Sequence, residues 1–119
     1  MIINTPISLG ELMDKISILK IKKNNIKNEE KLKFINEELT LMESTLKKTI
    51  SDSKINEFLD KLVDVNSKLW KIEDDIRDCE RNKKFDEKFI DLARSVYITN
   101  DKRSEIKLDI NNLFGSSLV

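Results

Sequence analysis

The sequence predicts an all-α domain of four helices, arranged as two antiparallel helical hairpins with coiled-coil-like heptad packing. Three observations carry this expectation. Apolar residues recur at alternating spacings of three and four over most of the chain, the period of one helix face. Two Gly and one Pro leave little material for the turns of a β fold. Charged residues reach 37% beside 39% hydrophobic, the balance of long amphipathic helices. A length of 119 residues fits one domain, 1–119.

The first helix has a clear start. Ser8-Leu9-Gly10-Glu11 has the form of a capping box, with Ser8 as N-cap and Glu11 reaching back. Ile7 and Leu12 sit where a hydrophobic staple would. Leu9, Leu12, Ile16, Leu19 and Ile26 continue the stripe, with Lys23 in its one polar slot. A second stripe is Leu32, Ile35, Leu39, Met42 and Leu46. It is out of phase with the first, whose continuation would bury Glu30, Lys33 and Glu37. The phase break places a turn near residues 27–30, although no Gly or Pro enforces it. One long bent helix would carry the same pattern. Folded at the turn, the stripes pair Leu12 with Leu46, Ile16 with Met42, Leu19 with Leu39, Lys23 with Ile35 and Ile26 with Leu32. The constant register defines a hairpin over 8–50.

Ser51-Asp52-Ser53 breaks the pattern and offers N-cap residues. The third stripe runs Ile55, Phe58, Leu62, Val65, Leu69, Ile72, Ile76, Cys79, and the residues 81–84 make a turn. Asp86 can cap a fourth helix, with Phe85 and Ile90 as its staple. The fourth stripe is Phe85, Phe89, Leu92, Val96, Thr99, Arg103, Ile106, Ile110, Leu113, and Gly115 fits a C-terminal stop. Laid antiparallel, the two stripes pair from Cys79 with Phe85 to Ile55 with Ile110 in unbroken register, a hairpin over 54–114. Helices of roughly 27 residues would span about 40 Å. Each hairpin keeps a second apolar face: Met13, Ile21, Phe34 and Leu41 in the first, Leu59, Val63, Ile90, Ala93 and Tyr97 in the second. A two-helix seam needs only a narrow stripe, so these faces predict that the hairpins pack on each other or on a second copy. A homo-oligomer, most simply a dimer, is the expected assembly, with a further protein partner as the other occupant.

Polar residues interrupt the core pattern. Thr99 and Arg103 occupy core slots, and Asn66 and Asn100 face each other in the same layers. A buried guanidinium needs a carboxylate, for which Asp14, Glu11 or an acid of another copy would serve. The readings are a register-fixing polar layer, a binding site, or an arginine that reaches out to water. A second cluster falls in LWKIEDDIRDCE, residues 69–80. There Glu73 precedes Arg77 at the favourable spacing, Arg94 lies beside Glu73 in the hairpin register, and Trp70 could cover the group. All four Arg of the 22 basic residues lie between Arg77 and Arg103, and the only Trp, Cys, Ala and Tyr fall in the same region, residues 70–103. Where Lys is the default cation, Arg suggests a need for a planar, bidentate fork.

Several classes are disfavoured. Without His the commonest zinc ligand and general base are missing, as are the E-x-x-H motifs of di-iron bundles. The single Cys79 makes no internal disulfide, compatible with a reducing cytoplasm. Net charge is zero and no basic arm exists, against nucleic-acid binding. The N-terminus lacks the pattern of a secretory signal, and no stretch approaches a membrane span. No cofactor or metal is implied. Asp75, Asp78, Glu87 and Asp91 could be drawn as a magnesium site, but the paired E-x-x-E and E-x-x-D motifs of all-α pyrophosphohydrolases are missing. The stretch ELMDKISILKIKK faintly resembles the first helix of helical chorismate mutases but lacks its arginine. Abundant Ile, Lys and Asn, with no Gln or His, are typical of AT-rich coding sequence from a small bacterial genome or a phage.

Three blocks, SLGELMDKISILKIK, LWKIEDDIRDCE and FIDLARSVYITNDKRSEIK, resemble a family of short bacterial and phage proteins known only as a domain of unknown function. The resemblance spans nearly the whole chain. It implies no particular reaction, but a genomic setting near glycosyltransferase and surface-polysaccharide genes. The positions it marks are Glu11, Asp14, Lys15, Trp70, Glu73, Asp74, Arg77, Arg94, Tyr97, Asn100, Asp101 and Arg103. The expected function is a cytoplasmic helical interaction or scaffolding protein, accessory to surface-polysaccharide synthesis, with these residues as a ligand or interface cluster. The alternative is an anion-binding or magnesium-dependent enzyme acting on a nucleotide or sugar phosphate.

Overall fold

The computed structural model describes residues 1–119 and is all-α, with helices α1 (Leu9–Asn25), α2 (Glu29–Thr49), α3 (Lys54–Arg81) and α4 (Glu87–Leu113). The first turn settles the ambiguity between one bent helix and two. Ile26 and Asn28 are extended, and the Asn28 side chain accepts a hydrogen bond from the Lys31 amide at 3.0 Å. An asparagine cap therefore restarts the helix where no Gly or Pro was needed. Ahead of α3, Asp52 accepts from the Lys54 amide at 2.9 Å. Asp86 caps α4 through the Phe89 amide.

The two long helices stop in the same way. Lys84 N–H reaches back to Cys79 O, and Ser116 N–H to Asn111 O, both at 2.9 Å. These are Schellman closures, each needing a left-handed residue just past the helix. Gly115 supplies it with φ 67° after α4, whereas Lys83 adopts φ 53° after α3. Two expected staples and pairs differ from the structure. Phe85 lies edge-on to Phe89 at 5.2 Å and stays half exposed, as does Ile90. Cys79 is buried, but Phe85 and Ile90 are not, because no other helix covers this hairpin end.

Consecutive helices pair, α1 with α2 and α3 with α4, and α1 also packs on both α3 and α4. No other helix packs on all three partners. Its residues Leu12, Ile16 and Leu19 join Ile35, Leu39 and Leu46 of α2 in one core, which extends to Leu59, Leu62, Val65 and Ile110. Met13 and Ile21, on the other side of α1, are buried too. The second faces of α2 and α4 are not. Phe34 and Leu41 are 63% and 53% exposed, and Ile90, Ala93 and Tyr97 are exposed as well. The hairpins thus dock through α1, not through both helices of each, and the outer faces of α2 and α4 are left open.

Because α1 is 17 residues long and α3 is 28, the α3–α4 pair outruns its cover. On α3 only Cys79 is buried beyond Leu69, and on α4 nothing before Thr99 is buried. The far end is a two-helix arm with a half-buried seam of Ile72, Ile76, Phe89, Leu92 and Val96.

Gly10 shows how closely α1 approaches α4. A β-carbon there would lie 2.5 Å from the Lys107 carbonyl oxygen and 3.1 Å from Asn111 Oδ1. Alanine is the better helix former, yet here it must push α1 off its partner backbone. Gly10→Ala is expected to lower the unfolding free energy by about 1–3 kcal/mol in urea titration, opposite to the sign that helix propensity gives.

Candidate functional site

The first turn of α1 leaves amides that no residue of its own helix can satisfy. Ser8 Oγ accepts from Glu11 N–H at 3.1 Å. The other two acceptors come from the far end of the chain: Asn111 Oδ1 takes Gly10 N–H at 2.8 Å, and Ser116 Oγ takes Leu9 N–H at 3.2 Å. Helix α1 is therefore capped by α4 and its C-terminal closure, which holds its polar inner face against α3 and α4.

That face carries Asp14, only 2% exposed. One side-chain oxygen of Asp14 accepts from Asn66 Nδ2 at 2.9 Å. The same amide nitrogen donates its second hydrogen to Ser17 Oγ at 2.7 Å, and the Ser17 hydroxyl donates to the Asp14 carbonyl at 2.7 Å. The other carboxylate oxygen, Oδ2, faces two cations, Arg103 Nε and Lys107 Nζ, each at 3.9 Å. Lys107 also bonds Glu11 Oε2 at 2.6 Å. Arg103 Nε is buried without a hydrogen-bond partner, so its tie to Asp14 is electrostatic.

Of the capping box, then, only the Ser8 half forms. The Glu11 carboxylate goes to Lys107 instead of returning to the Ser8 amide. The Lys107 hydrogen bond holds Glu11 below the ordinary carboxylate range, against the opposing effect of partial burial; the charges of Lys107, Lys15 and Arg103 act in the same direction as the bond. Two carboxylates meet two cations, so the group is balanced without any bound anion. Its chemistry is that of a latch between helices.

Of the twelve marked residues, the structure gathers Glu11, Asp14 and Arg103 here. Lys15 and Asp101 are exposed, and Asn100 is half-buried. Asn66 does not bond Asn100, because both amide hydrogens go to α1. Sequence reasoning missed Lys107 and Ser17. Lys107 stands one turn beyond Arg103, and Ser17 three residues beyond Asp14, spacings that share a helix face.

The second predicted cluster does not form as expected. Arg77 pairs within α3, with Asp74 at 3.0 Å and Glu73 at 3.9 Å, and all three side chains are about half exposed or more. Arg94 joins none of them, so Glu73 does not bridge two arginines. Trp70 is half-buried and receives no cation; the one cation–ring contact is Lys61 over Phe58. Two of the four acids drawn as a magnesium site are engaged otherwise, Asp75 with Lys71 at 2.8 Å and Asp78 with Arg81. No three acidic or thiol side chains converge as metal ligands would. The broadest hollow lies between the N-terminal arm, α2 and the C-terminal tail, and none of the marked residues lines it.

No protein-family model, curated protein or solved structure matches the chain.

Removing one member of a buried charged group leaves the others unpaired. Asp14→Ala is expected to cost about 3 kcal/mol in urea titration, with loss of α1 protection in hydrogen exchange. The Glu11–Lys107 pair predicts a pH effect. Since the folded-state pKa of Glu11 is depressed below 4.5, its stabilisation is full above that value and is lost as pH falls through the folded pKa. The stability gap between wild type and Glu11→Gln should therefore be constant near neutrality and narrow in acid, as measured by urea midpoints across the pH range.

Proposed function

We propose that the chain is a small helical interaction protein that works by presenting a face of α4 and assembles as a homo-oligomer. The observation that carries this reading is a second seam on α4. Ile90, Arg94, Tyr97, Asp101, Ser104 and Leu108 follow alternating spacings of four and three, and every one of them is exposed. Such a repeat is the signature of a helix made to meet another helix. Apolar residues in line on a surface mark contact sites more often than chance exposure does. The other three arginines and Lys107 are engaged inside the chain: Arg103 and Lys107 by Asp14 and Glu11, Arg77 by Asp74 and Arg81 by Asp78. This speaks for a contact role over anion chemistry in the bundle.

No helix is long and apolar enough to cross a membrane. A cytoplasmic setting, with which the single Cys79 is compatible, and an accessory role in surface-polysaccharide synthesis, which follows the resemblance to the bacterial and phage family, complete the proposal.

Ile90→Asp tests the reading. The residue is half exposed and on the arm, so helicity and urea midpoint should stay near wild type. Association, followed by sedimentation velocity and by chemical crosslinking of the full chain, should be lost. A wild-type chain that stays monomeric at micromolar concentration, and that shows no partner whose retention depends on Ile90, would overturn it.

A further inference from the structure

We propose that the occupant of the α4 face is a second copy of the chain, with α4 laid antiparallel on its counterpart across a two-fold axis. This rests on the interaction reading and names the partner for the same surface.

The spacing of the seam is a palindrome. When Tyr97 is set opposite Asp101 of the second copy, Ile90 falls opposite Leu108 and Arg94 opposite Ser104, and the two-fold repeats each pair. Every residue of the seam then meets another residue of the seam, as an isologous contact requires. The apolar pairs lie at the two ends and the polar ones in the middle. The phenol of Tyr97 can donate to the facing Asp101 carboxylate, and Arg94 stands one layer from that same carboxylate.

Charge complementarity favours this partner. Arg77, Arg81 and Arg103 each face an acid of their own chain, whereas Arg94 has none. Asp101 likewise pairs with no cation of its own chain, although Lys102 and Arg103 follow it directly. An arginine and an aspartate two turns apart on one exposed helix face cannot reach each other within the helix. Antiparallel pairing brings each to the other twice. On one flank Asp91 and Glu105 of the two copies approach, each with a lysine (Lys88, Lys102) one turn away along its own helix. That repulsion opposes the central contacts, so the dimer is of modest affinity and sensitive to the central charges.

Charge reversal in the full-length chain is the test. Dissociation constants would be measured by sedimentation for wild type, Arg94→Asp, Asp101→Arg and the double variant, with circular dichroism confirming equal helicity. Each single reversal places like charges in adjacent layers of the two copies and should weaken the dimer by about tenfold or more. The double variant recreates the opposite-sign pairs and should return to within about threefold of wild type. A dimer indifferent to the single reversals, or one that the double variant fails to restore, overturns the α4 pairing but leaves the interaction reading in place. A monomeric wild type with a different, Ile90-dependent protein partner has the same consequence. Absence of any association sinks both.

Discussion

The fold depends on how Asp14 is held. Helix α1 is the only element that packs on the other three, and its inner face carries a carboxylate 2% exposed to water. A buried charge of this kind is tolerable only with partners on several sides. Asn66 of α3 donates one hydrogen bond to it, and Arg103 and Lys107 of α4 face its other oxygen. Three helices therefore have to be in place before the Asp14 charge is compensated. An apolar residue at this position would let α1 slide or rotate in the groove between α3 and α4. The carboxylate admits one seating, which is how polar groups in a core act as register devices. Asn66 strengthens this by bonding Asp14 and Ser17 together, fixing the second and third turns of the α1 face at once.

The seating also explains Gly10 and Asn111. For Asp14 to reach Lys107, the first turn of α1 has to run against the α4 backbone, and the glycine removes the one atom that would collide with Lys107 O. Once there, the free amides of Leu9 and Gly10 would be unsatisfied, and the side chains of Ser116 and Asn111 accept them. Ser116 is positioned by the Schellman turn at Gly115, which bends the chain back past the helix end. Close approach, capping and charge pairing are thus one arrangement made by residues about a hundred positions apart.

The helical pattern was legible because it is local. Alternating spacings fix a helix face whatever the partner is, and the antiparallel registers follow from short turns. Arg103 in a core slot announced a carboxylate partner, and Asp14 was one of the acids available. What could not be read was which face meets which. Both hairpins have second apolar faces on both helices, and nothing in a one-dimensional pattern says that α1 would use its face while α2 leaves Phe34 and Leu41 in water. The Glu73–Arg77–Arg94 bridge failed for a related reason. Register places residues in the same layer but does not set the direction of an exposed side chain, and Arg77 found Asp74 on its own helix first. Asn28 was a weak signal, because asparagine is common in this chain and only the geometry distinguishes a cap from a surface residue.

Nine of the twelve marked residues now separate by where their polar groups are answered. Glu11, Asp14 and Arg103 are answered across helices, and their effect is to hold α1 in place. Glu73, Asp74 and Arg77 are answered along α3 at exposed positions, where such pairs contribute little. Arg94, Tyr97 and Asp101 are answered by nothing within the chain and follow one another at helical spacing on one exposed face of α4, in a stripe that ends in Ile90 and Leu108. A charge already compensated inside the molecule is poorly available to anything outside it. In the proposed assembly recognition falls to the third group, whose members sit on the helix whose opposite face is committed to the core. The same helix thus carries a seam that closes the fold and a seam that the fold leaves open.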